Sequence, residues 1–266
     1  MTRSRAMLDR TDTNGVAHLR MNAPDRLNAL SDAMLAALHG ALDDIADDTA
    51  VRAVILSGAG KAFCAGHDLK EMQAGRAADD GGAAYFADLF DRCAALMLRI
   101  QSIPQPVIAM PHGIATAAGC QLVATCDMAV AAQGTRFGVN GVNIGLFCST
   151  PMVALTRNIG RKAAFEMLTT GRFIDTDEAL HLGLINRAVP HDDLAATTQG
   201  LAETVAGKLA KAVRIGKQAF YAQAQMDTAD AYAYAAQVMV TNMMERDTDE
   251  GITAFLEKRA PDWPNG

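Results

Sequence analysis

The sequence predicts an α/β fold followed by a helical C-terminal region. Short strand-like runs alternate with amphipathic helical segments over the first two thirds of the chain. One of these runs, VRAVILSG, is almost continuously apolar, as is typical of a strand buried on both faces. From about residue 191 onwards the helical periodicity continues with almost no strand signal, which predicts a separate helical portion.

The first predicted elements are a β-hairpin and a helix. Asn14-Gly15 stands between two strand-like runs, and this pair is a strong signal for a two-residue turn because glycine accepts positive φ. Ser31 is placed to cap a helix that begins after it. The apolar residues of that helix recur at helical spacing: Met34, Leu35, Leu38, Leu42 and Ile45.

The remaining elements continue the alternation. After the strand VRAVILSG, the periodicity predicts a helix over residues 83–100, a strand in PVIAMPHG, a helix that holds Gln121, and a strand in MAVAA. We expect a core over residues 1–190 and a helical oligomerisation region over residues 191–266.

Composition excludes several functional classes. The net charge of −6 argues against nucleic acid as the main partner, because phosphate binding requires a basic surface. No apolar run reaches the ~20 residues of a membrane span. The five cysteines form no CxxC pair and no zinc-type spacing, so we expect no metal and free thiols in a reducing compartment. The N-terminus lacks the apolar segment of a signal peptide, and the expected location is the cytoplasm.

Two loops carry the main functional signal. KAFCAGHDLKEM and PHGIATAAGC each lead from a strand through small residues into a helix. The first N–H groups of a helix have no partner within it, and the helix dipole adds positive potential there. Two such junctions side by side would form an oxyanion hole, in which two main-chain N–H groups bind one oxygen.

These loops also belong to a longer pattern. The order NALS, F-x-x-G-x-D-L-K-E-M, G-C-x-L, C-D and GITAFLEKR resembles the crotonase (enoyl-CoA hydratase/isomerase) superfamily over residues 28–259. GHDLKE, ATAAGCQL and GVN-x-GLFCSTP are most similar to its enoyl-CoA-hydratase-domain-containing subgroup. The resemblance implies a ClpP-like spiral of ββα turns, a homotrimer or dimer of trimers, and an acyl-CoA thioester substrate. It implies no separate cofactor, since coenzyme A enters with the substrate.

The resemblance also assigns site residues. The oxyanion donors would be the main-chain N–H groups of His67 and Ala118. Phe255 and Lys258 would reach the nucleotide of coenzyme A in a neighbouring subunit, with Arg26 and Lys70 near its phosphates. The remaining substrate contacts would come from the first loop: Ala65, Gly66, His67, Asp68, Leu69 and Lys70.

The sequence departs from this family where hydratases carry two catalytic glutamates. By the resemblance, the two positions are Gln121 and Gly141, and neither residue titrates. Weak water addition is therefore expected, although Gln121 could still orient a water or a substrate group. Asn140 is a candidate polar wall group. Two alternatives remain open: a malonyl-type CoA decarboxylase, which GHDL also resembles, and a non-catalytic acyl-CoA-binding protein.

Four titratable side chains lie in or near these motifs: those of His67, Asp68, Asp127 and Cys148. The His67 ring would be free to titrate near neutral pH. Asp68 is interpreted as a structural hydrogen-bonding group, and Asp127 as the end of its helix. Cys148 has no histidine partner that the sequence reveals, so a nucleophilic role is unsupported.

Overall fold

A computed structural model describes residues 6–263 and contains one six-stranded sheet, one three-stranded sheet and eleven α-helices within that range. The large sheet has the order β1-β2-β3-β4-β6-β9, and the small sheet has the order β5-β7-β8. The strands are β1 (Leu8–Thr13), β2 (Val16–Met21), β3 (Ala53–Gly58), β4 (Val107–Ala109), β5 (Ile114–Thr116), β6 (Met128–Ala132), β7 (Arg136–Gly138), β8 (Phe173–Ile174) and β9 (Arg187–Val189).

Helices follow most strands and continue to the C-terminal end of the described range. Two of them, α2 and α4, begin at the loops that the sequence singled out. The helices are α1 (Asp32–Asp47), α2 (Leu69–Gly75), α3 (Ala83–Ser102), α4 (Ala118–Thr125), α5 (Ser149–Asn158), α6 (Arg161–Thr170), α7 (Thr176–Leu182), α8 (Leu194–Ala206), α9 (Ala210–Gln223), α10 (Thr228–Met243) and α11 (Arg246–Glu257).

The N-terminal hairpin and the first helix form as their local signals predict. β1 and β2 pair antiparallel, with Thr13 opposite Val16, and the turn residues Asn14 and Gly15 have φ of 53° and 74°. Ser31 caps α1, and its Oγ accepts a hydrogen bond from the N–H of Met34 at 3.2 Å. β1 is the only antiparallel strand of the large sheet within the described residues.

The large sheet is covered on both faces, which explains the continuous apolar character of β3. Val54 and Leu56 pack into the main core with α1 and α3, while Ala53 and Ile55 pack into a second cluster with α8. β3 pairs in parallel with β2 and β4. Because helices shield both faces, successive side chains of β3 are buried without alternation.

The segment before α4 differs from the prediction. PVIAMPHG was expected to be one strand that leads directly into the helix, yet β4 ends at Ala109 and a second strand, β5, precedes the helix. Gly113 has φ of +63° between them, so the chain turns and joins the small sheet. The second loop therefore begins from β5 and not from the large sheet.

The helical C-terminal portion is present, but α8 packs on the large sheet, with Leu194 and Ala202 in its second cluster. α9, α10 and α11 are more exposed and contain few buried residues. Residues 1–5 and 264–266, which end the two expected ranges, lie outside the described residues. The division at residue 190 remains a prediction, as does the oligomerisation role. No described helix has the length and apolar character needed to cross a bilayer.

Candidate active site

The first loop, between β3 and α2, is fixed by main-chain hydrogen bonds and by Asp68. The carbonyl oxygen of Gly66 accepts from the N–H of Leu30 at 2.8 Å. Asp68 caps α2, and its Oδ1 accepts from the N–H of Lys70 at 2.9 Å. Asp68 also forms an ion pair with Arg26. Asp68 therefore shapes the loop, in agreement with its predicted structural role.

The second loop, between β5 and α4, lies directly against the first. The N–H of Thr116 donates to the carbonyl oxygen of Cys64 at 3.0 Å, and the N–H of Ala117 donates to that of Gly138 at 2.8 Å. Ala117 has φ of 51° and ψ of −120°, an unusual conformation for a residue with a side chain. Bonds on both sides of the loop hold this turn and set the direction in which α4 begins.

The two loops bring the predicted N–H donors close together. Gly66 has φ of +88°, and a Cβ added to it would lie 3.2 Å from the main-chain nitrogen of Ala118 and 2.9 Å from the Cβ of Ala117. Only glycine allows this approach and this φ without strain. Among residues 6–263, the N–H groups of His67 and Ala118 have no acceptor. Both residues line the same cavity.

That cavity has a volume of about 290 Å³ and mostly apolar walls. Its polar side chains are hydroxyls, one amide, one imidazole and one thiol, and no carboxylate from the described residues lines it. The apolar side chains come from α2, α3 and the segment between β7 and α5. The larger apolar side chains in the wall are Leu69, Met72, Phe90, Ile144, Leu146 and Phe147, and the polar ones are His67, Thr116, Asn140, Cys148, Ser149 and Thr150.

The His67 ring is more enclosed than the sequence suggested. Its Nδ1 lies 3.4 Å from the carbonyl oxygen of Leu30, and the ring packs edge-to-face on Phe90 at 5.7 Å between centroids. Its Nε2 is buried without a partner among the described residues. Burial, and then the nearby Arg92 guanidinium, lowers the pKa of His67 below its usual 6.5. The expectation of a ring that titrates freely near neutral pH is therefore wrong.

The two positions that would carry the family's glutamates differ from each other in the structure. Gln121 is buried on α4, its Oε1 has no hydrogen-bond donor among the described residues, and it is not part of the cavity wall. Gly141 does line the cavity. A Cβ added to Gly141 would lie 2.3 Å from the carbonyl oxygen of Leu146 and 2.9 Å from the Sγ of Cys148. The backbone there leaves no room for a side chain.

Asn140 and Cys148 complete the polar wall. The Oδ1 of Asn140 accepts from the hydroxyl of Thr116 at 2.5 Å, which links the second loop to the turn after β7. Burial raises the pKa of the Cys148 thiol above its usual range, so it stays protonated and is a poor nucleophile. All five cysteines are free and buried, as expected from their spacing. No group of three or more metal-ligating side chains occurs within residues 6–263.

The residues expected to contact the nucleotide and phosphates of coenzyme A lie outside the cavity of the single chain. Arg26 forms ion pairs with Asp68 and Glu71, which occupy its guanidinium. Lys70 is exposed on α2 and follows Leu69, which lines the cavity. Phe255, on α11, has 81% of its surface exposed, and Lys258 follows at the end of that helix. Of the expected contact set, Ala65, His67, Leu69 and Ala118 line the cavity.

Sequence reasoning missed Phe90 and gave Asp127 too small a role. Phe90 follows Leu89, the first buried residue of α3, and lines the cavity. The helical pattern of α3 alone does not predict this, because it depends on where α2 lies. Asp127 does not simply end its helix: it accepts hydrogen bonds from the N–H of Val107 at 2.6 Å, from Lys217 at 2.7 Å and from Tyr221 at 2.8 Å. The helical sequence pattern around Lys217 does not indicate this contact, because Asp127 is distant in the chain.

Comparison with known proteins identifies the family. The model of the family described as enoyl-CoA hydratase/isomerase matches residues 11–266. The chain belongs to the enoyl-CoA hydratase/isomerase family. It is 44% identical to human enoyl-CoA hydratase domain-containing protein 3, mitochondrial, over 94% of this chain and 81% of that protein. The family's crotonase fold, predicted from the motifs, is thereby confirmed.

Solved structures of family members superpose closely. An enoyl-CoA hydratase from Mycobacterium smegmatis has a TM-score of 0.93 and 52% identity, covering 98% of this chain and all of that one. The human domain-containing protein 3 has a TM-score of 0.92 and 43% identity, covering 97% and 100%. Membership of the family supports acyl-CoA thioesters as the substrate class.

Proposed function

We propose that this protein binds an acyl-CoA thioester and stabilises its enolate with the main-chain N–H groups of His67 and Ala118. The observation that supports this most strongly is the contact between the two loops at Gly66, with both N–H groups free at one cavity. Removing a single donor from such a site typically costs ~3 kcal/mol of transition-state stabilisation. Two amides can therefore supply a large share of a catalytic effect.

Water addition is expected to be weak in this proposal. A positioned carboxylate commonly contributes 10²–10⁴-fold as a general acid or base, and the described cavity wall has none. Gln121 carries an amide and does not line the cavity, and the Gly141 position has no space for a side chain. The protein would then polarise thioesters but transfer protons slowly.

Decarboxylation of a malonyl-type CoA ester is the second candidate, and the apolar wall favours it. A substrate carboxylate placed against Phe90, Ile144 and Phe147 would lose its hydration without gaining an ion pair. Breaking the bond between C2 and this carboxylate releases CO₂ and leaves the electron pair in the enolate. C2 then takes a proton from water. No protein carboxylate is needed for this sequence.

A non-catalytic acyl-CoA-binding protein is the remaining alternative, since the same cavity could bind a thioester without turnover. Assembly as a homotrimer or dimer of trimers is part of the proposal, because Phe255 and Lys258 would then contact the nucleotide from a neighbouring subunit. The cytoplasmic location also remains a prediction, and the human, mouse and rat relatives carry "mitochondrial" in their names.

The test begins with calorimetric titration of crotonyl-CoA and methylmalonyl-CoA, with free coenzyme A as the control. We expect both thioesters to bind more tightly than coenzyme A. Absence of any thioester-dependent binding would refute the proposal. Turnover then separates the candidates: CO₂ from methylmalonyl-CoA indicates decarboxylation, and binding without product indicates a binding protein. Rapid hydration of crotonyl-CoA would show that a replacement acid or base exists.

A further inference from the structure

A second apolar cavity continues from the first one. It has a volume of about 460 Å³, and five of its lining residues also line the candidate active site. Because the two cavities share these walls, they adjoin one another, and together they extend from the N–H groups of His67 and Ala118 along α2 as an acyl channel. The shared residues are Leu69, Met72, Phe90, Ile144 and Leu146.

One face of α2 forms the floor of this channel. Leu69, Met72 and Gln73 of α2 line the second cavity together with Arg76, the C-cap residue, whose φ and ψ are still helical. The four residues follow the i, i+3, i+4, i+7 spacing of a single helix face. At 1.5 Å per residue, the distance along the helix axis from Leu69 to Arg76 is about 10 Å. The channel therefore starts beside the proposed carbonyl site and reaches a guanidinium group after two helical turns.

The Arg76 guanidinium can interact with a ligand group at the far end of the channel. Its guanidinium carbon lies 5.1 Å from the centroid of the Phe86 ring, and this stacking restricts the side chain. Within residues 6–263, Arg76 forms no ion pair, although the protein carries 30 acidic residues against 24 lysines and arginines. No acidic side chain lines the second cavity in the described part of the chain.

We propose that the second cavity binds the distal half of a straight acyl chain and that Arg76 recognises a carboxylate at its end. The preferred ligands would be medium-length ω-carboxyacyl-CoA thioesters. This inference rests on the proposed function, since it requires the thioester carbonyl between the two loops. The apolar walls bind the methylene groups, and Arg76 offsets the loss of hydration of the terminal carboxylate.

The test compares three thioesters by calorimetric titration: acetyl-CoA, octanoyl-CoA, and suberoyl-CoA, in which a carboxylate replaces the terminal methyl. We expect octanoyl-CoA to bind at least about tenfold more tightly than acetyl-CoA, because burial of its additional methylene groups removes apolar surface from water. The affinity ratio of suberoyl-CoA to octanoyl-CoA should fall by about twofold to fivefold in Arg76→Gln, as for a solvent-accessible ion pair. It should stay unchanged in Arg161→Gln, which removes an exposed arginine of α6.

Two results would overturn the inference while leaving the proposed function intact. Equal affinity for acetyl-CoA and octanoyl-CoA would show that the second cavity takes no chain. An unchanged ratio in Arg76→Gln would show that Arg76 does not recognise the chain end. Failure of all three thioesters to bind better than free coenzyme A would instead refute the proposed function, and the inference with it.

Discussion

At the scale of single residues, Gly141 limits the chemistry of the cavity. The carbonyl oxygen of Leu146 and the thiol of Cys148 fill the space that a side chain would need, and the N–H of Leu146 closes the turn by donating to the carbonyl of Gly141 at 3.0 Å. A carboxylate cannot be introduced at this position without moving the turn. The lack of a second acid is therefore a property of the backbone as well as of the sequence.

The space around each glycine predicts opposite effects on stability for Gly→Ala substitutions at Gly141 and Gly40. Gly141→Ala should reduce the free energy of unfolding by about 1–3 kcal/mol, as is typical of overpacking. Gly40→Ala should raise it by about 0.4–1 kcal/mol, because Gly40 lies inside α1 with nothing within 4 Å of an added Cβ. Urea denaturation measures both. Equal stability of Gly141→Ala and the wild type would contradict the crowded turn.

The half-buried His67 ring predicts a dependence of stability on pH. Its pKa is lower in the folded protein than the 6.5 of an unfolded histidine, so the unfolded state binds more protons in acid. The contribution of this ring is complete above 6.5 and is lost as the pH falls from there towards the lowered value. His18, whose pKa burial also lowers, adds to the same loss.

His67→Gln should therefore reduce the loss of stability between about pH 7 and about pH 5.5, since glutamine does not titrate. Urea denaturation at several pH values measures this loss, and His181→Gln, which alters an exposed ring, is the control. If His67→Gln retained the full wild-type loss, the ring would not be buried in the neutral form.

At the scale of secondary-structure elements, a buried ion pair attaches α9 to the core. The Nζ of Lys217 donates to the carbonyl oxygens of Ile100 and Gln105 at 2.8 and 2.9 Å and to Asp127 at 2.7 Å. The hydroxyl of Tyr221, one turn further along α9, donates to the same carboxylate. All three protons of the ammonium group have acceptors, which offsets the cost of burying its charge.

Lys217→Met should cost about 3–5 kcal/mol of unfolding free energy, because it leaves the partly buried Asp127 without its cation. The matched control is Lys211→Met, which removes a lysine of the same helix whose ion pair with Glu245 is exposed; it should cost no more than about 1 kcal/mol. Thermal and urea unfolding of both variants measure the difference. Similar losses would show that the buried pair contributes no more than a surface one.

The elements that the sequence predicts well are those specified by local signals. The Asn14-Gly15 turn and the Ser31 cap depend on residues close in the chain, and both form as expected. β5 was missed because it has three residues and is defined by pairing with β7, about twenty residues later. The interaction between Asp127 and Lys217 spans 90 residues, so no local pattern indicates it.

At the scale of the whole molecule, the sequence predicts the two facing loops but not the shape of the cavity beside them. Their motifs identify His67 and Ala118 as candidate donors, whereas the opposite wall comes from Phe90 and from the turn that contains Gly141 and Ile144. Those contacts depend on how α3 and the small sheet pack against α2 and α4. Tertiary packing therefore determines the size of the cavity and its continuation towards Arg76.

Several large apolar side chains in the C-terminal helical region are exposed in the single chain. Met244 and Phe255 are each 81% exposed, and Tyr232 is 76% exposed. Apolar side chains concentrated on one region commonly mark a protein interface. They accord with the proposed trimer, in which α10 and α11 would be covered by a neighbouring subunit.

The central claim is that two main-chain N–H groups polarise one thioester carbonyl. The most direct measurement is the infrared spectrum of a bound acyl-CoA with a ¹³C-labelled thioester carbonyl. We predict that its stretching band shifts to lower frequency in the wild type and in Gly134→Ala, where φ is +82° and an added Cβ has open space. The shift should be lost in Gly66→Ala, whose Cβ would push the two loops apart. A thioester that binds the wild type without any shift of this band would contradict the account.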